Sequence, residues 1–327
     1  MSGKTNRVRR FVKDWTLPLA ICLGVALYLP FRLVPALRPV ASWYLPYNSV
    51  TLPLCAFAVL YVTFCKVEFL KLRLKRWHLW LCIGQTVLVA MVMALILCLH
   101  AEGHRLVFLE ATLVCVISPG AMAAAVVTAK LGGSLEEMTA YTLLSNLLAT
   151  LLIPLCFLCL PSESEGFLPL FLAILSKVSA VLLLPLALAL LTKAFLRPLH
   201  RLITSIRDLS YNLWAISLIV ITGTTVMNIL DAWTSTTLLL LLTIALMAML
   251  VCAGQFALGK LLGRRCGRET EAGQGLGQKN TTFAIWTATA FLTPLSSVGP
   301  GCYILWQNIV NSVEIWRHER KFPSPKA

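Results

Sequence analysis

Residues 79–99 read LWLCIGQTVLVAMVMALILCL, a run of 21 residues without a charged side chain. A helix needs about twenty apolar residues to cross the hydrocarbon core of a bilayer. Nine further stretches between charge clusters have a similar length and character. The sequence therefore predicts an all-α membrane protein with ten transmembrane helices, near residues 15–37, 43–64, 78–99, 107–131, 136–159, 167–195, 208–229, 233–259, 275–293 and 298–316.

The composition of the 327-residue chain favours the same fold class. Hydrophobic residues make up 58% of the chain and charged residues 13%, which is about half the usual share of charge. So few charged side chains cannot cover a soluble core of this size, and the apolar exterior is expected to face lipid. The eleven cysteines lie mostly within the apolar runs, where we interpret them as small packing residues.

The formal net charge of +14 comes from basic residues that a ten-helix topology places on one side of the bilayer. They precede the first helix and recur in segments 66–76, 193–207, 260–268 and 317–326. Because basic loops stay on the cytoplasmic side, the sequence predicts a multi-pass protein of the plasma or inner membrane with both termini cytoplasmic. Topology accounts for the basic excess, so no nucleic-acid partner is expected.

An acidic loop, Leu160–Gly166, divides the chain into two parts with five predicted helices each. Residues 1–159 form the first repeat and residues 160–327 the second. An odd number of helices per repeat turns one repeat upside down relative to the other. This inverted arrangement is common among secondary transporters.

The fourth predicted helix of each repeat is interrupted. In the first repeat, Ser118-Pro119-Gly120-Ala121 breaks an apolar run, because proline lacks a backbone donor and glycine relaxes the helix. In the second repeat, Gly275 and Gly277 belong to the run GQGLGQKNTT at 273–282. Alone, the first motif also fits an ordinary kink and the second a cytoplasmic loop. Their matching positions predict that both helices break and meet in a polar chamber.

These stretches resemble the bile acid:sodium symporter family. The motifs that carry the resemblance are Ser118-Pro119-Gly120-Ala121 with Thr128, Gly132-Gly133, Thr142, Ser145 and Pro154; Gly277-Gln278-Lys279-Asn280; and Pro300-Gly301 with Trp306-Gln307-Asn308. The resemblance implies ten helices arranged as a panel domain and a core domain, with contributions from both halves. It also implies that the fourth and ninth helices cross, and that bile acids or other organic anions are taken up with sodium by alternating access.

The resemblance assigns candidate roles by position. Asn280 and Asn308 would line the substrate cavity, and Thr142 and Gln85 would fall at sodium-site positions. The full candidate set for substrate binding is Asn280, Asn308, Ser118, Gln307 and Thr281. The candidate set for an ion site, or for a charge that mimics the ion, is Lys279, Gln278, Thr142, Gln85 and Ser145.

Several family sodium ligands are replaced in this chain. Ala124 and Ala125 stand where the family has a serine and an asparagine, Gly275 where it has a glutamate, and Lys279 where it has a glutamine. Because hard cations need several oxygen ligands, we do not expect family-like sodium coupling. The ammonium of Lys279 is predicted to take the place of the ion and to bind the carbonyl groups freed around Ser118–Ala121. The alternative is a lysine that reaches the cytoplasmic edge.

Other functional classes remain as alternatives. No motif of a membrane-embedded enzyme, such as HExxH, occurs in the sequence, so neither enzymatic activity nor a cofactor is expected. An auxin-efflux-like anion exporter, a channel and a receptor stay open. Lys279 and the two helix N-termini favour an anionic solute. Glu110 and Lys177, within predicted helices, are interpreted as reaching an interface or a water-filled cavity.

Overall fold

The computed structural model describes residues 16–34, 39, 48–160, 167–206, 209–231 and 237–321, and these residues fold almost entirely into helices. The helices are α1 Thr16–Leu33, α2 Asn48–Cys65, α3 Arg76–Cys98, α4 Gly103–Ile117, α5 Ala123–Lys130, α6 Leu135–Phe157, α7 Phe167–Leu182, α8 Leu184–Phe195, α9 Arg197–Ser205, α10 Leu209–Asp231, α11 Thr237–Arg264, α12 Glu269–Gly277, α13 Thr281–Phe291 and α14 Val298–Lys321. Two short 3₁₀ helices cover Phe69–Lys71 and Pro294–Ser297.

Four of these helices are long and apolar enough to cross a membrane by themselves: α3, α6, Leu209–Met227 of α10 and Leu238–Arg264 of α11. The pair α7 and α8 makes a fifth crossing if the two are taken as one span, bent by 43°. Several apolar helices could therefore span a bilayer, which is the architecture of a multi-pass membrane protein. The predicted fourth and ninth spans are each divided into two helices that are individually shorter than the bilayer.

Parts of the predicted organisation fall outside the described residues. They are the starts of the first, second, seventh and eighth predicted helices, at residues 15, 43–47, 208 and 233–236, the end of the first predicted helix at 35–37, and the acidic loop apart from Leu160. Both predicted cytoplasmic ends, at residues 1–15 and 322–327, also lie outside the described residues.

The outer surface of α3 shows why this fold needs an apolar surrounding. Its strongly exposed side chains include Leu79, Ile83, Val87, Met91 and Leu95, which recur at every fourth position and therefore share one face. Leu79 is 63% exposed and Met91 58%. A continuous apolar stripe of this length is unfavourable in water. It is the face that we expect to contact lipid.

Close backbone packing joins α11 to α12. A Cβ atom at Gly259 would collide with the backbone carbonyl of Ala272, and a Cβ atom at Gly263 would collide with that of Arg268. Two glycines one turn apart on α11 thus let α12 lie directly on its backbone. This contact buries residues 271–279 and carries the second interruption into the protein interior.

Candidate functional site

The two predicted interruptions meet inside the protein. Helix α4 ends at Ile117 and α5 begins at Ala123, whereas α12 ends at Gly277 and α13 begins at Thr281. The Ala121 N–H donates to the Gln278 carbonyl, and the Asn280 N–H donates to the Pro119 carbonyl, each at 2.9 Å. These bonds pair Gly120 with Lys279 as an isolated antiparallel bridge. The predicted contact is confirmed, and the kink and loop alternatives are wrong.

Side chains from α3 and α11 donate hydrogen bonds to the free carbonyl groups at the C-terminal end of α4. The amide Nε2 of Gln85 donates to the carbonyls of Ile117 and Ser118, at 3.0 and 3.2 Å. The amide Nε2 of Gln255 donates to the Cys115 carbonyl at 3.3 Å. An interrupted helix leaves its last carbonyl groups without intrahelical partners. Here two buried glutamines supply donors to three of them.

Lys279 supplies a further donor to the same helix end. Its side chain is 1% exposed, and its Nζ donates to the Val116 carbonyl at 3.1 Å. The predicted contact between the Lys279 ammonium and a carbonyl group near the break is therefore present. The carbonyl belongs to Val116, however, and not to a residue of Ser118–Ala121 as predicted. The lysine does not reach an aqueous edge, because the bridge to Gly120 fixes its backbone inside the fold.

The electrostatics of this position favour a cation. The C-terminal end of a helix carries partial negative charge from its unpaired carbonyls, and Lys279 lies at the end of α4. The N–H of Lys279 donates to Oε1 of Gln307 at 2.9 Å, which also ties this residue to α14. The bond from the ammonium to the Val116 carbonyl matters because an isolated ammonium in an apolar interior is very costly.

The second interruption is shorter than predicted from its glycines. Gly275 lies within α12, and Gly277 is the last residue of that helix, so neither breaks it. The glycines serve close packing instead. A Cβ atom at Gly275 would lie 2.9 Å from Leu81 Cδ1 and 3.0 Å from the Tyr141 ring, and one at Gly277 would collide with the Phe256 ring. The break itself is limited to Gln278–Asn280.

Three further candidate side chains bond to backbone groups next to the two breaks, and a fourth is buried there. Oγ of Ser145 accepts the Gly120 N–H at 2.9 Å. Oδ1 of Asn280 accepts the Phe283 N–H at 3.2 Å and thereby caps α13. The Ser118 hydroxyl donates to the Val114 carbonyl at 2.7 Å. Thr281 is buried at the first position of α13.

Two candidates bond only within their own helices. The Thr142 hydroxyl donates to the Met138 carbonyl at 3.0 Å. The Asn308 amide donates to the Ile304 carbonyl at 2.6 Å, and its side chain is half-buried.

The Pro119 ring and Gly120 lie in the first break, as predicted. Ala124 and Ala125 are buried in the first turn of α5 and offer no side-chain oxygen.

Two further residues that bind backbone groups at the crossing were not predicted. The Tyr303 hydroxyl donates to the Gly277 carbonyl at 2.7 Å, and Gln255 donates to that hydroxyl at 3.0 Å. Both residues are buried. A lone amide such as Gln255, within the otherwise apolar run of α11, is the sequence signal that could have identified it.

Several buried polar atoms near the crossing have no hydrogen-bond partner among the described residues. They include Oε1 of Gln85, Oε1 of Gln278, the Tyr141 hydroxyl and both amide atoms of Asn146. Buried polar groups in folded proteins are normally paired with protein or ordered water. These atoms make the interior around the crossing polar.

An ionic cluster joins the two halves of the chain at the start of α6. Arg268 donates two hydrogen bonds to the Glu137 carboxylate, at 2.8 and 3.1 Å, and Trp77 Nε1 donates to the same group at 3.1 Å. The bond to Glu137 raises the pKa of Arg268. Oε1 of Glu271 accepts the Ser134 N–H at 3.1 Å. A neighbouring cavity of about 440 Å³ is lined by Leu131, Gly132, Gly133, Arg264, Gly267, Arg268, Glu269, Thr270 and Glu271.

Comparison of the chain with protein-family models finds no match, and a search of curated proteins finds none either.

The carbonyl end of α4 provides a test of the crossing. We expect Gln85→Leu to lower the free energy of unfolding by about 1–3 kcal/mol for each carbonyl left unpaired. Thermal unfolding in detergent measures this loss. Thr86→Val is the matched control, because the Thr86 hydroxyl bonds only to Cys82 within its own helix. Equal unfolding temperatures for the two variants would contradict the role given to Gln85.

Proposed function

We propose that this protein is a secondary transporter of an organic anion, either bile-acid-like or another carboxylate or sulfonate, that works by alternating access. Ten transmembrane helices form two inverted five-helix repeats, and the interrupted pairs α4/α5 and α12/α13 are the crossed fourth and ninth spans. The single observation that carries this proposal is the pairing of the two breaks around a buried lysine. Broken helices at matching positions of two repeats are a recurrent design of transporter binding sites.

The charge distribution at the crossing supports an anionic solute. Helices α5 and α13 begin there, and a helix N-terminus carries partial positive charge and free N–H groups. The Lys279 side chain lies two residues before α13 and adds a positive charge when it is protonated. In an interior of low dielectric constant, these groups attract a carboxylate or sulfonate far more strongly than they would in water.

The same residues favour transport without sodium. A sodium ion needs several oxygen ligands, whereas Ala124, Ala125 and Gly275 have none in their side chains. The ammonium of Lys279 already occupies the carbonyl end of α4 at Val116. A fixed cation in this position performs the electrostatic role that a bound ion would otherwise have.

The ionic cluster around Glu137 supports the alternating-access part of the proposal. Glu137 belongs to the first repeat and Arg268 to the second, so their contact holds the repeats together on the side proposed to be cytoplasmic. Arg268 is 41% exposed at its side chain. Because the Arg268 side of the pair faces water, we propose that this contact opens and closes during transport. The two hydrogen bonds and the 12% exposure of Glu137 make it stronger than a fully exposed ion pair.

Uptake into proteoliposomes tests the proposal. We expect radiolabelled taurocholate or another member of an organic-acid panel to be taken up with saturation and counterflow, at equal rates with and without a sodium gradient. Strict dependence on sodium would contradict the role of Lys279. Transport that never saturates would instead indicate a channel, and strictly outward movement would indicate an exporter.

A further inference from the structure

Glu110 is a buried carboxylate outside the crossing. It lies on α4, two turns before the break, and is 5% exposed. Its Oε2 accepts the backbone N–H of Thr293 at 3.0 Å. Among the described residues no cation forms an ion pair with it. This carboxylate therefore lies in the protein interior rather than at an interface, and no side chain in the described part of the chain forms an ion pair that balances its charge.

The partner of Glu110 occupies a joint in the second half of the chain. Thr293 lies between α13, which leads away from the second interruption, and the 3₁₀ helix Pro294–Ser297, which leads into α14. The Glu110 carboxylate on α4 thus binds the N-cap residue of the 3₁₀ helix, where a negatively charged acceptor is favourable. One hydrogen bond links the two interrupted elements at a second point, away from the crossing.

The elements packed around this part of α4 are almost free of ionisable groups. Val107 and Ala111 pack against Leu240, Ile244 and Met247 of α11 and against Leu295 and Val298. Helix α13 and the 3₁₀ helix carry no ionisable side chain. The ionisable side chains on the nearby halves of α3, α6 and α14 are Cys98, Cys156, Cys302 and Tyr303. The exposed charged or basic ones on this side are His100, Glu102, His104, Arg105 and Lys177, the last of which lies over the Phe291 ring.

We infer that Glu110 is a proton-binding site and that the proton it carries is the ion coupled to transport. When the carboxylate is ionised, it accepts a charge-assisted hydrogen bond and holds the joint at Thr293. Addition of one proton converts it to a neutral carboxyl group, which binds the same N–H more weakly. Protonation then frees the joint between α13 and α14, and with it the far end of the second interrupted helix.

This inference fits the chemistry of the crossing. An intramembrane carboxylate is expensive and recurs in proton relays of pumps and transporters. A fixed ammonium at Lys279 removes the need for a metal cation but leaves the transported anion without a coupling ion. Proton binding at Glu110 supplies one. The coupling part of this inference rests on the proposed transport function, whereas proton binding at Glu110 does not.

The first measurement needs no substrate. We expect infrared spectra of the purified protein in lipid nanodiscs to show a protonated-carboxyl band that grows as pH falls and is missing from Glu110→Gln. Glu102→Gln is the matched control, because Glu102 is exposed one residue before α4 and its loss leaves the band intact. An identical titrating band in Glu110→Gln would overturn the inference. If Glu110→Gln does not fold, Glu110→Asp is expected to shift the band without removing it, and an unshifted band would overturn the inference.

The second measurement follows the joint itself. In hydrogen exchange, corrected for the intrinsic effect of pH, the amide of Thr293 is expected to exchange about ten-fold faster when Glu110 is protonated. In Glu110→Gln it exchanges fast at every pH. Exchange independent of pH in the wild type would overturn the inference. In proteoliposomes, Glu110→Gln is expected to keep counterflow and to lose accumulation driven by a pH gradient; retained accumulation would overturn the coupling role.

Discussion

Proteoliposomes that carry Lys279→Gln are expected to lose saturable uptake of the organic anion by about ten- to a hundred-fold, which corresponds to one charge-assisted hydrogen bond. The glutamine amide can still donate a hydrogen bond toward the Val116 carbonyl, but it has no charge. The variant therefore separates the electrostatic role of the ammonium from its hydrogen bond. Initial uptake rates at several substrate concentrations measure the effect.

The matched control for this substitution is Lys177→Gln. Lys177 is an exposed lysine whose Nζ lies 5.8 Å from the centroid of the Phe291 ring, and its replacement is expected to leave uptake unchanged. Folding is checked by size-exclusion chromatography and thermal unfolding. Wild-type uptake by well-folded Lys279→Gln would refute the proposal that this charge holds the site.

The second large effect concerns folding. Gly259→Ala places a methyl group against the backbone carbonyl of Ala272, and a backbone atom cannot rotate away as a side chain can. We expect this variant to lower the free energy of unfolding by about 1–3 kcal/mol or more, as overpacking of a well-packed interior does. Thermal unfolding in detergent, together with the yield of monodisperse protein, measures the change.

Gly254→Ala is a control on the same helix with the opposite expected sign. No atom lies within 4 Å of a Cβ atom at Gly254. Replacing an exposed helical glycine by alanine stabilises a helix by up to about 1 kcal/mol. If both variants unfolded at the same temperature, close packing of α11 on α12 would not be what these glycines provide.

The sequence predicted the first interruption and its meeting with the second, because proline and glycine act locally and leave a visible mark in an apolar run. The second interruption was placed too early. The glycine-rich run 273–277 resembles a break in sequence, but its glycines are required by neighbours that come from distant parts of the chain, such as Leu81 and Phe256. Sequence alone does not show which atoms will face a glycine.

The same limit explains the misplaced or missed partners at the crossing. The positive charge of Lys279 was enough to predict that it binds free carbonyl groups. Which carbonyl it binds, that of Val116, depends on the rotation of α4 relative to α12. Tyr303 and Gln255 contribute through contacts across 26 and 140 residues of chain. Gln307 reaches the crossing, whereas Asn308 is rotated from it by about 100° around the helix and bonds to Ile304 instead. Helical periodicity predicts a face but not the partner it meets.

The bridge between Gly120 and Lys279 has one further consequence. The two strands of this bridge are joined by main-chain groups, the N–H of Ala121 and Asn280 and the carbonyls of Gln278 and Pro119. Any amino acid other than proline supplies the same donors. The main-chain bonds that join the two breaks therefore do not depend on the side chains to which we assign solute binding in the proposed transporter. If the proposed transport is correct, we expect side-chain substitutions at the crossing to change the solute or the coupled ion while the main-chain pairing stays intact.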